Sequence, residues 1–189
     1  MTISMIAGLT YHEAYLAEKE QAALISLIDQ QSWITDLKRR VQHYGYRYDY
    51  TRHTATSPQL YLGSLPEWLA TVAQRLHADG FVAQVPDQVI VNEYEPGQGI
   101  SSHIDCVPCF DDTILSLSLL SPCVMQFTHT SSTQKVPVLL EPGSLLIMQG
   151  EARYAWKHGL PARKTDVYQG QVLARKRRIS LTFRNILAH

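Results

Sequence analysis

No run of about 18 consecutive apolar residues occurs in this chain, so no segment reads as a membrane-crossing helix. The amino terminus, Met1-Thr-Ile-Ser-Met-Ile-Ala, lacks the basic region of a secretory signal. An excess of charge of either sign is missing too: 17 Lys and Arg face 17 Asp and Glu, so the mean field draws neither polyanions nor polycations. Any contact with nucleic acid must therefore be a local patch. Cysteine is scarce and odd in number, and Cys106, Cys109 and Cys123 do not make a secreted disulfide framework. These absences give the expectation of a soluble, cytoplasmic monomer with no membrane contact. At 189 residues the chain suits one domain, spanning 1–189, with a full hydrophobic core.

Two amphipathic helices are predicted early. Leu16, Ala23, Leu24, Leu27 and Ile28 recur on one face, with Glu18, Lys19 and Glu20 opposite. Residues 66–80 open with Pro and close with Gly, the marks of a bounded helix. Between them, residues 39–52 alternate aromatic and polar side chains, with Tyr44, Tyr46, Tyr48 and Tyr50 on one side of a predicted strand. Such a strand serves either as a half-buried tyrosine ladder or as a stacking, phosphate-contacting surface.

After a short apolar strand in residues 5–12, most of the strands come late. Residues 88–94 and 178–184 are β-rich, and in the second Arg178, Ser180, Thr182 and Arg184 face one way while Ile179, Leu181 and Phe183 face the other. Residues 112–120 with 123–127 read as a hairpin turning at Pro122, and 136–140 with 144–148 as another around Glu141-Pro-Gly143. Helices followed by many short antiparallel strands predict an α+β domain, a sandwich or jelly roll buttressed by helices.

Within this frame the chemistry gathers at 92–105, Asn-Glu-Tyr-Glu-Pro-Gly-Gln-Gly-Ile-Ser-Ser-His-Ile-Asp. On an extended segment His103 and Asp105 emerge on the same face and can share one metal ion. Alone, His-x-Asp is common and better explained by a surface histidine near a carboxylate; the signal sharpens only in combination. A third ligand is offered by His158, with His129 as competitor; His129 sits in the polar stretch 128–133, which resembles an exposed hairpin tip. Two His and one carboxylate form the facial triad of non-haem Fe(II) oxygenases. Arg178 and Arg184 are either solvated strand residues or a clamp for a small dianion. Cys106-Val-Pro-Cys109 has the spacing of a redox pair or zinc knuckle, but no second C-x-x-C or H-x-x-H follows at finger distance, and thiols lining a loop beside the metal fit better.

Taken in order, Asn92-x-Tyr94-x-Pro96-Gly97, His103-x-Asp105, Gly150-Glu151-x-Arg153 with His158-Gly159, and Arg178 followed at the sixth position by Arg184 resemble the AlkB family of Fe(II)/2-oxoglutarate dioxygenases. The similarity spans residues 86–186, and more weakly reaches back to residue 5. It implies a double-stranded β-helix, with Fe(II) on His103, Asp105 and His158, and dioxygen and 2-oxoglutarate as cosubstrates. Arg178 would hold the distal carboxylate of 2-oxoglutarate, Arg184 the carboxylate nearer the metal, and Asn92, Tyr94 and Ser180 would complete the cosubstrate site. DNA-repair members carry a second acidic residue two positions after the metal aspartate, where this chain has Val107. The runs 86–105 and 110–119 look most like the eukaryotic homologue that hydroxylates a modified wobble uridine in tRNA, matching its oxygenase part alone.

The expected partner is accordingly a nucleic acid, RNA such as tRNA or alkylated DNA, whose base is hydroxylated or oxidatively demethylated. Such a base must be read outside a stack. Arg39, Arg40, Tyr46, Tyr48 and Arg52, where the resemblance sets a substrate lid, would form the nucleic-acid surface. Two alternatives stand beside it: the same chemistry on a protein or small molecule, and a non-catalytic β-barrel with a structural metal, zinc on Cys106 and Cys109.

Overall fold

The structure is a computed structural model and describes residues 5–187; residues 1–4, part of the amino-terminal segment considered above, lie outside it. Twelve strands and three helices are assigned within that range. Six strands form the larger sheet, in the order β1 (Leu9–His12), β8 (Leu145–Met148), β5 (Ile114–Leu119), β12 (Arg178–Arg184), β3 (Gln88–Tyr94) and β2 (Arg40–Tyr44). Four form the smaller one: β4 (Ile100–His103), β9 (Trp156–Leu160), β6 (Cys123–His129) and β7 (Lys135–Leu140). A separate hairpin joins β10 (Thr165–Tyr168) to β11 (Gln171–Ala174).

The alternation of β12 explains the layering. Ile179, Leu181 and Phe183 are fully buried against Leu24 and Ile28 of α1 (Glu18–Asp29) and Leu69, Ala73 and Leu76 of α2 (Glu67–Ala78). Its polar residues face inward, between the sheets. On β3, Val89 and Val91 likewise pack towards the helices, while Ile90, Asn92 and Tyr94 line the inner face. Each such apolar side chain contributes about 1.5–3 kcal/mol through burial, so the helices clamp the large sheet and fix where its inner face points. At the start of α1 the Glu20 carboxylate accepts from the Ala17 N–H at 2.8 Å, and Arg75 ties α2 back by donating to Glu20 at 2.8 Å and to the Tyr15 carbonyl at 2.9 Å. The result is the double-stranded β-helix with buttressing helices.

Three local expectations change. Strands β5 and β6 do not form a hairpin: β5 pairs with β12 and β8, and the chain crosses at Leu120–Pro122 to the smaller sheet, where β6 pairs with β7 and β9. Strands β7 and β8 are likewise parted across the two sheets. A turn signal marks a reversal of the chain, and in this fold each of these reversals is a corner between layers. The tyrosine strand stops at Tyr44, because Gly45 has φ +73° and turns the chain out of the sheet. Tyr46 then bridges Tyr61, and Tyr48 and Tyr50 fold over the inner face instead of forming a ladder.

Candidate active site

Strands β4 and β9 bring two of the expected ligands face to face, His103 lying directly opposite His158. Their close approach depends on Gly159: a Cβ there would fall 2.8 Å from Ser102 Cα and 2.9 Å from Ser102 N, both backbone. The imidazole centroids are 4.6 Å apart. Asp105 follows just past the strand end, and one donor atom from each of His103, Asp105 and His158 lies within 4.8 Å of the others. His103 Nδ1 sits 2.8 Å from the Ser101 carbonyl oxygen. A carbonyl only accepts, so Nδ1 carries a proton towards it, and Nε2 is turned to the cluster, 3.4 Å from Asp105 Oδ1.

Electrostatics prepares the same three groups. Burial pushes the His158 imidazole down to about 4, so it is neutral near pH 7. For Asp105, burial alone would raise the carboxyl; the Arg184 guanidinium, the bond from His103 and the field of His158 outweigh it and hold the group well below the ordinary range. Arg184 donates from Nε at 3.2 Å and from a terminal nitrogen at 3.3 Å to the two Asp105 oxygens, and its other terminal nitrogen reaches Gln88 Oε1 at 3.2 Å. Arg153, 2% exposed on the short α3 (Gly150–Tyr154), donates to the carbonyls of Asp105 at 2.8 Å and Cys106 at 3.3 Å, so the backbone of the ligand loop is held from below.

The triad opens into a cavity of roughly 630 Å³ between the sheets. Lys38, Arg39, Arg178 and Arg184 line it against a single carboxylate, Asp105, so it suits a dianion. Arg178 donates to Ser118 Oγ at 2.9 Å, while its Nε is buried with no protein partner among the described residues. Arg178 Cζ also stands 5.6 Å from the ring centroid of Tyr94, whose phenol burial keeps protonated. Ser180 and Asn92, register partners on β12 and β3, complete this wall.

The expected substrate residues separate. Arg39 and Tyr48 line the cavity. Arg40 points to the helix side, ion-paired with Glu93 and stacked over Trp33 at 4.6 Å. Tyr46 packs on Tyr61, with ring centroids 5.0 Å apart, outside the cavity lining. Arg52 is exposed on a turn whose N–H groups at Thr51 and Arg52 are accepted by Asp49. His129 lies at the β6–β7 tip against Trp156, apart from the triad.

Cys106 and Cys109 are joined to each other, which removes them as zinc ligands; the expected pair of thiols is a disulfide beside the metal loop. The His53 carbonyl oxygen lies 3.3 Å from Cys106 Sγ and 3.6 Å from Cys109 Sγ. Sequence reasoning also missed Tyr50 and His53 as cavity residues and the grip of Arg153 on the ligand loop. For Arg153 a signal existed, a cation in the helical turn preceding His158.

A facial triad beside an arginine-lined cavity defines an oxygenase that uses Fe(II) with 2-oxoglutarate, and the profile of the 2OG-Fe(II) oxygenase superfamily matches residues 8–184. An Arabidopsis thaliana protein called alkylated DNA repair protein ALKBH8 homolog is 36% identical over 208 residues, covering 97% of this chain and 60% of its own length. Protein L905 of Acanthamoeba polyphaga mimivirus is 34% identical over 95% of this chain and 85% of that protein. The mouse tRNA (carboxymethyluridine(34)-5-O)-methyltransferase ALKBH8 is 38% identical over 86% of this chain, which spans only 25% of it. The structure of OsALKBH1 superposes with a TM-score of 0.69 at 19% identity, covering 94% of this chain and 98% of that one, a likeness of fold. The chain belongs to the AlkB family of Fe(II)- and 2-oxoglutarate-dependent dioxygenases.

The residues fit both groups. Two imidazoles and a carboxylate held in its ionised form are the donor set for Fe(II). The Arg178 guanidinium lines a cavity that holds four cations and one acid, a setting that calls for an anion.

Proposed function

We propose that this dioxygenase oxidises a base in RNA, of the tRNA wobble-uridine type, in preference to an alkylated DNA base. The observation that carries the reading is the wall of Tyr48, Tyr50 and His53 lining the same cavity as the triad, an aromatic surface on which an unpaired base can stack. The names of the Arabidopsis and mouse relatives, at 36% and 38% identity, support a nucleic acid, and the mouse name supports tRNA. Val107, half-exposed two positions after Asp105, stands where the family's repair enzymes carry an acid, and this weighs against direct repair.

In this reading His103, Asp105 and His158 hold the metal. Arg178 clamps the distal carboxylate of 2-oxoglutarate through charge-assisted bonds from its guanidinium. Arg184 keeps Asp105 ionised with one edge and stands beside the cosubstrate's inner carboxylate. Asn92, Tyr94 and Ser180 donate hydrogen bonds to the remaining oxygens. When bound, iron and 2-oxoglutarate supply the oxidation, in which dioxygen and the 2-oxo acid yield succinate, carbon dioxide and one oxygen atom inserted into a substrate C–H bond. The protein orients these partners and, through the apolar walls of Ile90, Met125, Met148 and Leu160, keeps water from the reacting carbon. Arg39, Tyr48 and Arg52 receive the nucleic acid, while Arg40 and Tyr46, turned away, support the fold.

Mass spectrometry of nucleosides from tRNA and alkylated-oligonucleotide panels, after turnover with Fe(II) and 2-oxoglutarate, tests this directly. A hydroxylated or demethylated nucleoside from tRNA is expected. Succinate formation with every nucleoside unchanged would overturn the reading and favour a protein or small-molecule substrate.

A further inference from the structure

Arg39 and Arg40 are consecutive, yet they do opposite things. Strand alternation sends Arg40 and Gln42 to the helix side, where Arg40 pairs with Glu93 and Gln42 donates to the Ile28 carbonyl at 2.9 Å. Arg39, one residue before the strand, goes to the cavity side. Arg40 is the register partner of Glu93 and Val41 of Asn92, so Arg39 comes opposite Tyr94 and reaches diagonally to Asn92. Its Nε lies 2.8 Å from Asn92 Oδ1, and its Cζ is 5.8 Å and 6.0 Å from the ring centroids of Tyr50 and Tyr94.

We infer that Arg39 is a positioning residue that fixes the Asn92 amide with its NH2 towards the cosubstrate. A guanidinium nitrogen can only donate, so the amide oxygen must face Arg39 and the amide nitrogen must face the other way. On that other side the register partner is Ser180 and the cavity begins. The polar atoms of 2-oxoglutarate, two carboxylates and a keto group, all accept. An NH2 in that place donates to them, whereas a flipped amide would set oxygen against oxygen. Among the described residues the bond from Arg39 is the one hydrogen bond that holds the Asn92 amide, so its loss frees the amide to turn. Arg39 thus acts on the cosubstrate through Asn92, from a segment outside the motif-bearing stretch 86–186.

The inference rests on the assignment of Asn92 to the cosubstrate, and the test separates the two. Titration calorimetry of 2-oxoglutarate into the Mn(II)-loaded protein measures affinity without turnover. Loss of one donor to a carboxylate is expected to weaken binding about tenfold in Arg39→Leu, equivalent to ~1.4 kcal/mol. Asn92→Ala should weaken it by a similar factor, and the double variant should be no weaker than Asn92→Ala. Arg39→Lys, which also presents only donors, should recover most of the affinity. In uncoupled turnover without nucleic acid, Arg39→Leu should raise the KM for 2-oxoglutarate by more than it lowers kcat, and Arg39→Lys should restore that KM. If Asn92→Ala binds normally, the assignment of Asn92 fails and the inference falls with it. If Asn92→Ala is weakened while Arg39→Leu is not, or if the two losses multiply in the double variant, the inference on Arg39 alone is overturned.

Discussion

Replacing Arg153 by methionine separates support of the ligand loop from ligation itself. The residue is 2% exposed, and its guanidinium donates to the Asp105 carbonyl at 2.8 Å and the Cys106 carbonyl at 3.3 Å; the Asp111 carbonyl, at 3.5 Å, adds little. Two bonds from a charged donor are worth about 1.5–3 kcal/mol each. Against this, burial disfavours the charge, which lowers the pKa of Arg153, and methionine fills much of the space at no such cost. The balance is a destabilisation of about 2–4 kcal/mol, read as a fall of about 1–2 M in the urea midpoint of the metal-free protein. Because Asp105 rides on the same loop, Mn(II) affinity should drop by about 10–100-fold, the usual range for a group that orients a ligand. An unchanged midpoint together with unchanged Mn(II) affinity would refute the role given to Arg153.

Burial holds both His43 and His158 at about 4, below the 6.5 of a free imidazole. Between those values the unfolded chain binds more protons, so the stability of the metal-free protein should fall as pH drops from 6.5 towards 4, by up to about 1.4 kcal/mol per pH unit for each histidine; a flat urea-midpoint profile would contradict this, and His43→Gln should reduce the slope. Gly159→Ala must part β4 from β9 at Ser102, so it should cost about 1–3 kcal/mol in thermal unfolding and lower Mn(II) affinity at least about tenfold; wild-type metal binding would contradict the close approach. Alkylation of the denatured chain before reduction should label Cys123 alone, and after reduction Cys106 and Cys109 as well; labelling of all three without reduction would contradict the bridge.

What could be read in the sequence followed from the range of the forces involved. Strands β3 and β12 appeared with their observed bounds, because each carries a complete alternation, and in β12 the same alternation separated Arg178 and Arg184 from the apolar helix face. The triad was legible for a related reason: His103 and Asp105 are neighbours, and His158 follows a fixed motif. Choices made by distant parts of the chain were not legible. Whether the strand after Pro122 or Gly143 stays in its sheet depends on which layer has an open edge, and no local pattern records that. The tyrosines of 44–50 show a strand period, but one glycine with positive φ overrides it. Arg39 and Arg40 look alike in sequence, and only the register of β2 on β3 sends one to Asn92 and the other to Glu93.

The central claim is that His103, Asp105 and His158 hold Fe(II) beside an arginine-bound 2-oxoglutarate. Anaerobic addition of Fe(II) and then 2-oxoglutarate, followed by visible absorption, tests it most directly. The account predicts a charge-transfer band that saturates at a single equivalent of metal and is lost in His103→Ala. No band in the wild-type protein, or the same band in His103→Ala, would contradict it.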